Sequence, residues 1–304
     1  MQPVHSLPTA RQESIEILPV ELLDQNRPML TALQNLARSL GLEFGWHYLL
    51  DITWIVQHLG DAAGKSILDA GAGTGILQWY LAEQGAAVLS VDRASRAYLA
   101  MRFRRRYQAR GLRSTDLGSG GGAIRHRVTE AGSLHTRITV LGRELASLAD
   151  RHRAPGRVTI YNQDLKNLAE IGDNSLDAIV AVSALEHNPP QELPQVIDEL
   201  MRTLKPGGVL LATLCAARDQ DWFHVPSQGW CYTAASLRRL FELPLETPTN
   251  YDRYDELLET LRNCTELRQG LAAFYSRSGD NGMPWGVWDP HYQPVGVCKV
   301  KPRQ

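Results

Sequence analysis

The run Ser66-Ile67-Leu68-Asp69-Ala70-Gly71-Ala72-Gly73-Thr74-Gly75-Ile76-Leu77 joins an apolar strand, a turn with glycine at alternate positions and the start of a helix. Glycines in such a turn let the backbone come within contact distance of a ligand and adopt positive φ, which suits the cradling of a nucleotide. A dinucleotide fingerprint of the Gly-x-Gly-x-x-Gly type needs its last glycine where Ile76 stands, which argues against NAD or FAD. Ala87-Val88-Leu89-Ser90-Val91-Asp92 is a second strand, ending in a carboxylate 19 positions after Gly73. Doubly wound folds place there the acid that accepts hydrogen bonds from ribose hydroxyls.

These residues need a sheet to position them. Short β-rich runs at 66–68, 87–91, 158–161, 178–182 and 209–214 alternate with helical stretches, which predicts an α/β fold with a parallel sheet covered on both faces. From Leu18 to Leu59 the apolar spacing is helical, as in Leu22, Leu30, Leu33, Leu36 and Leu40, so an N-terminal helical segment is expected. Asp92 and Asp164 are 72 positions apart, whereas a βαβ unit needs about 30 residues. An insertion at about 101–156 fills the gap; it holds twelve arginines, no lysine and four acids, a local balance of +8. Its centre, Gly118-Ser119-Gly120-Gly121-Gly122, reads as a flexible loop with no strand leading into it. Past Leu214 come aromatic residues (Trp222, Phe223, Trp230, Tyr232), helices at Ala234 to Phe241 and near Tyr251 to Tyr275, and β-like tails at Trp285–Trp288 and Val295–Val300.

Composition sets the outer bounds. The 304 residues are 43% hydrophobic and 21% charged with a net charge of −1, an ordinary globular profile with no global pull toward nucleic acid or membrane. No run approaches the ~18 apolar residues of a membrane span, and the N-terminus has neither a basic n-region nor an apolar h-region. A cytoplasmic protein with no membrane partner is expected. Cys215, Cys231, Cys264 and Cys298 are too scattered for the CxxC pairs of zinc or redox sites and read as reduced thiols.

Asp-Ala-Gly-Ala-Gly-Thr-Gly together with Asp92 resembles motifs I and II of the class I S-adenosylmethionine-dependent methyltransferases, small-molecule type. Later residues match in order: Val158-Thr159-Ile160-Tyr161-Asn162-Gln163-Asp164-Leu165, then Leu176-Asp177 to Leu185-Glu186-His187, then Leu204-Lys205-Pro206-Gly207-Gly208-Val209-Leu210. The resemblance covers about 62–214 apart from the insertion. It implies a doubly wound, seven-stranded Rossmann-like sheet in which the two C-terminal tails are the sixth and seventh strands, the last antiparallel. It divides the chain into an N-terminal helical lid segment at 1–61 and a methyltransferase domain at 62–304, with substrate-side elements at about 215–280. S-adenosyl-L-methionine is the implied cofactor, and Asp69, Gly71, Ala72, Gly73, Gly75, Asp92, Arg93, Asp164, Leu165, Ser183 and Tyr48 are its candidate contacts. Asp164 would accept from the adenine amino group with Leu165 against the ring, and Tyr48, on the helix before the sheet, would close over the methionine part.

Methyl transfer asks the protein mainly to hold nucleophile, methyl carbon and sulfur in line. A hydroxyl or ammonium acceptor must also lose a proton, and His187, after the fourth strand, is the candidate base. His224, Trp222 and Tyr232 are the candidate substrate contacts. Glu186-His187 is similar to the Glu-x-x-Glu-His run with which ubiquinone-type O-methyltransferases can hold a divalent ion. Ser183 replaces the first acid, so no metal is expected. The leading reading is methyl transfer to an O or N atom of a small-molecule acceptor. RNA modification through the basic insertion is the second reading, although Asn188-Pro189-Pro190-Gln191 lacks the aromatic that would stack a flipped base. A non-catalytic protein that binds S-adenosylmethionine is the third. Acceptor identity and oligomeric state are not legible in the sequence.

Overall fold

The computed structural model describes residues 12–270, 283 and 287–303. The five apolar runs become β2 (Ser66–Ala70), β3 (Ala87–Asp92), β5 (Arg157–Asn162), β6 (Leu176–Val182) and β7 (Leu204–Ala216), all parallel in one sheet. Alternate residues of each strand enter different cores, as period-2 geometry demands. Ile67, Val180 and Leu211 face one apolar layer, and Leu68, Ile179 and Leu210 face the other. The first layer is covered by the short α1 (Glu21–Gln25) with α2 (Arg27–Leu40), α3 (Tyr48–Leu59) and α4 (Leu77–Glu83). The second is covered by α8 (Leu193–Thr203), α9 (Ala234–Leu240) and α10 (Tyr254–Arg262). In α2, Leu30, Leu33, Leu36, Ala37 and Leu40 recur at helical spacing and are buried together, and Gly41 ends the helix at φ +59°.

The sheet runs β1-β10-β7-β6-β2-β3-β5-β4, with β1 (Ser14–Ile17), β4 (Arg110–Gly111) and β10 (Gln293–Val300) at or near its edges. A short hairpin, β8 (Trp222–His224) and β9 (Gly229–Tyr232), joins it where Cys231 pairs with Cys215 at the end of β7. From β2 the chain steps to β3 and β5 on one side and later to β6 and β7 on the other. The order therefore reverses between β2 and β6, and a crevice opens beyond their carboxyl ends. The C-terminal tail Val295–Val300 lies within β10, antiparallel to β7. The strand outside β10 is not a second C-terminal tail but β1, which pairs antiparallel with Ile15 opposite Val297. Ile15 and Ile17 are buried there, which stabilises this distant pairing. The expected tail at Trp285–Trp288 lies outside the described residues except for Val287 and Trp288, which are not in a strand, and the expected helix near Tyr251 to Tyr275 is described only to residue 270.

The insertion, expected to be part helix and part loop, differs from its reading at its centre, where Gly120, Gly121 and Gly122 are helical. It forms α5 (Met101–Arg106), α6 (Gly120–Glu130) and α7 (Leu134–Ala149). The three glycines open α6 because the Ser119 hydroxyl accepts from the Gly122 N–H at 3.1 Å, a cap that offsets part of the roughly 1 kcal/mol per residue that glycine costs a helix. The positive excess is also partly internal. Arg104 donates to the carbonyls of Leu99, Gly118 and Ala97, Arg105 to Leu148, Arg106 pairs with Glu83, and Arg127 with buried Glu144. No helix among the described residues is long and apolar enough to cross a membrane.

Candidate active site

The glycine turn follows β2 directly into the crevice. Gly71 has φ +71° and Gly73 +48°, conformations that cost a side chain about 1–2 kcal/mol. Space is limited as well: a Cβ on Gly71 would lie 2.5 Å from the Cβ of Ala184, on the turn that leaves β6. Asp92, at the end of β3, ties the turn down. Its Oδ2 accepts from the Gly73 N–H at 2.8 Å and its Oδ1 from the Ala94 N–H at 2.7 Å, which leaves each oxygen a further lone pair for a ligand hydroxyl.

Beneath the turn sits Arg96, which sequence reasoning missed. It is buried, donating to the Ser90 and Tyr161 carbonyls at 2.9 and 3.0 Å and to the Ser90 hydroxyl. Burial lowers its pKa, opposed by the carboxylates of Asp92, Asp69 and Asp116. Asp69 is buried in turn; burial pushes its carboxyl up to about 7, with Asp92 adding to the shift and Arg96 and the Gln78 N–H opposing it. A buried carboxyl raised to about 7 beneath the glycine turn responds to a cation that binds beside it.

Three adjoining cavities open along the crevice. One, of about 340 Å³, is lined by Asp92, Arg93, Asp164, Leu165, Ser183 and His187 among others. The next, of about 530 Å³, is lined by Asp69, the turn from Gly71 to Gly75 and Gly45. Tyr48, Gly71 and Val182 belong to both, so they are two ends of one cleft. Every cofactor contact expected from sequence lines one end or the other. Asp164 Oδ1 accepts from the Lys166 N–H at 2.9 Å, which fixes the carboxylate at the turn after β5. The ring of Tyr48 lies over Gly45, where a Cβ would approach it to 2.7 Å.

The third cavity, of about 270 Å³, lies behind the turn after β6 and shares Tyr48, Ser183 and His187 with the cleft. Ser183 is held at φ +45°, and its hydroxyl donates to Glu186 Oε1 at 2.6 Å. A 3₁₀ turn at Leu185–His187 then sends Glu186 inward and leaves His187 at the rim. Burial raises the pKa of Glu186, opposed by His187, the Ser183 hydroxyl and His47. His187 Nδ1 is 3.0 Å from the Gln228 carbonyl; as donor there, it leaves Nε2 as the basic nitrogen.

The remaining walls come chiefly from Trp46, His47, Cys215 and Tyr292, rather than from the aromatic residues that follow β7. His224, Trp222 and Tyr232 are not among the residues lining these cavities. His224 is buried one layer back, its ring 5.0 Å from that of Tyr292 and its Nδ1 2.7 Å from the Ser227 hydroxyl. Trp222 packs against the first core, and Tyr232 is fully buried in the second. Among the described residues no group of three or more His, Cys, Asp or Glu is arranged to hold a metal ion.

A family model described as a methyltransferase domain matches residues 115–212. Ubiquinone biosynthesis O-methyltransferase of Xanthomonas oryzae pv. oryzae is 35% identical over 178 residues, 58% of this chain and 68% of that protein. The enzyme of the same name from Acinetobacter baylyi is 49% identical over 43 residues, so that alignment spans only 14% of this chain and 18% of the relative. Among solved structures, Burkholderia thailandensis 1,6-didemethyltoxoflavin-N1-methyltransferase is 14% identical with a TM-score of 0.45, covering 98% of this chain and 93% of its own. Haemonchus contortus phosphoethanolamine N-methyltransferase 2 is 15% identical with a TM-score of 0.46, covering 93% and 60%. The chain belongs to the class I S-adenosylmethionine-dependent methyltransferases.

Proposed function

We propose that this chain transfers a methyl group from S-adenosylmethionine to an oxygen or nitrogen atom of a small-molecule acceptor. The observation that carries this reading is the junction: Tyr48, Ser183 and His187 line both the nucleotide cleft and the aromatic cavity, so the two ligands meet at one place. The fit of the donor to the cleft is supported by the turn at Gly71, a cradle that a Cβ would fill, and by Asp92 and Asp164, which line the cleft as hydrogen-bond acceptors. Asp92 would hold the ribose, Asp164 and Leu165 the adenine, and Asp69 and Tyr48 the methionine end. When bound, the sulfonium supplies an activated methyl group. The protein orients the acceptor against it, excludes water and receives the acceptor's proton.

An oxygen acceptor is the form that the curated relatives favour, since both are named O-methyltransferases. RNA is less well supported, because several arginines of the insertion are committed to internal carbonyls and carboxylates. The wall of the aromatic cavity carries no lysine or arginine among the described residues, which suits an acceptor without a phosphate or carboxylate in that cavity.

Two results are expected. Replacing His187 by alanine slows turnover by more than it weakens S-adenosylhomocysteine binding, because the rim histidine stands where the cleft and the aromatic cavity meet. Unchanged turnover with an accepted substrate would make His187 structural. The second concerns pH. Asp69, neutral below about 7 in the fold, contributes stability that is lost as pH rises through 7, because its folded value lies above its ordinary one. A cationic donor favours the ionised form, so affinity for S-adenosylmethionine climbs as pH rises toward 7 and levels off above it, by at most about tenfold per pH unit, with release of a proton. Calorimetry in buffers of different ionisation enthalpy reads this, and Asp69→Asn flattens it. A pH-independent affinity in the parent protein would place the donor's charge away from Asp69.

A further inference from the structure

His47 and Asp51 lie at the entry of α3, one helical turn apart, and both are buried. His47 Nδ1 is 2.5 Å from Asp51 Oδ2. With Nδ1 engaged by the carboxylate, Nε2 is the ring nitrogen that can accept a proton, and the carboxylate stabilises the imidazolium that results. Asp51 lies in the first turn of α3. The imidazole is walled by rings: Trp46 at 4.5 Å, Tyr48 at 5.4 Å and Tyr292 at 5.8 Å between centroids, each close to edge-on. These rings line the aromatic cavity with it, together with Glu186 and His187.

Asp51 Oδ1 and Glu186 Oε2 are both buried without a hydrogen-bond partner; Glu186 lines the cavity with the imidazole, and Asp51 backs the imidazole from behind it. His187, at the rim, is exposed to solvent; His47 is not.

We propose that His47, oriented by Asp51, is the proton acceptor for an uncharged hydroxyl seated in the aromatic cavity, and that His187 passes the proton on to solvent. The inference rests on the methyltransferase reading. The acceptor's O–H bond breaks and its proton goes to His47 Nε2. The electron pair left on oxygen forms the new bond to the methyl carbon, and the pair of the breaking carbon–sulfur bond returns to sulfur. His47 is then a catalytic residue and Asp51 a positioning residue. The titratable groups that line the cavity with the imidazole are Tyr48, Glu186, His187, Cys215 and Tyr292, and Asp51 pairs with it from behind.

The test uses the full chain saturated with S-adenosylhomocysteine and the chromophoric phenol 4-nitrophenol as probe. Just below the probe's own pKa, the parent protein is expected to bind it as the phenolate. His47→Gln and Asp51→Asn bind it as the neutral phenol, with the bound phenolate fraction reduced about tenfold or more. Nitrogen NMR of ring-labelled protein should show the proton of His47 on Nδ1, with Asp51→Asn mixing the tautomers. A proton on Nε2, or loss of the phenolate in His187→Ala with its retention in His47→Gln, would overturn the assignment. Failure of the phenol to bind while S-adenosylhomocysteine binds would overturn the hydroxyl acceptor. Failure of S-adenosylhomocysteine itself to bind would overturn the methyltransferase reading instead.

Discussion

Gly71→Ala is expected to weaken S-adenosylhomocysteine binding by roughly 30-fold or more and to lower the melting temperature. Two costs add. The residue sits at φ +71°, where a Cβ costs about 1–2 kcal/mol. That Cβ would stand 2.5 Å from the Cβ of Ala184, and relieving such overpacking typically costs a further 1–3 kcal/mol or so. Whichever side yields, function is affected: if the nucleotide turn moves, the cleft closes, and if Ala184 moves, it carries the Ser183–His187 turn with it. A second substitution separates the two costs. Adding Ala184→Gly removes the contact but not the backbone strain, so it should restore part of the affinity. Calorimetric titration and thermal unfolding of the single and double variants check this, and an unaltered affinity in Gly71→Ala would mean that the turn is not the donor cradle.

The second large effect is expected at Asp92. Its carboxylate holds the turn through the Gly73 and Ala94 N–H groups and is the candidate ribose acceptor. Hydrogen bonds to a charged group contribute about 1.5–3 kcal/mol each, so Asp92→Ala should weaken donor binding by roughly 10- to 100-fold. Asp92→Asn should lose nearly as much, because one side of the amide presents N–H groups where the carboxylate accepts. Arg96 would also lose one of the three carboxylates that oppose the cost of its burial, so a lower melting temperature accompanies the loss of affinity. A folded Asp92→Ala protein with parental affinity would show that the ribose lies elsewhere.

The parts of this site that are legible in the sequence are those where local chemistry leaves little choice. Gly71 and Gly73 meet a conformational demand that few other residues tolerate, and Asp92 and Asp164 are marked by the ends of apolar strands. Arg96 is hidden because its partners come from Ser90, Tyr161 and Asn162 on two strands, while its own neighbourhood reads as a polar loop. The His47–Asp51 pair has helical spacing in view, but nothing local distinguishes an oriented dyad from a packed turn. Tyr292 and β1 depend on contacts between opposite ends of the chain. The centre of the insertion misleads for a related reason: the glycines signal a loop, and only the Ser119 cap and packing against α5 and α7 make them helical.

The crevice between β2 and β6 is expected to bind S-adenosylmethionine. The most direct measurement is calorimetric titration of the purified chain with S-adenosylmethionine, S-adenosylhomocysteine and NAD. Saturable binding of both sulfur nucleosides with none of NAD is the predicted result. Heat from NAD alone, or silence toward both sulfur compounds in a folded protein, would contradict it.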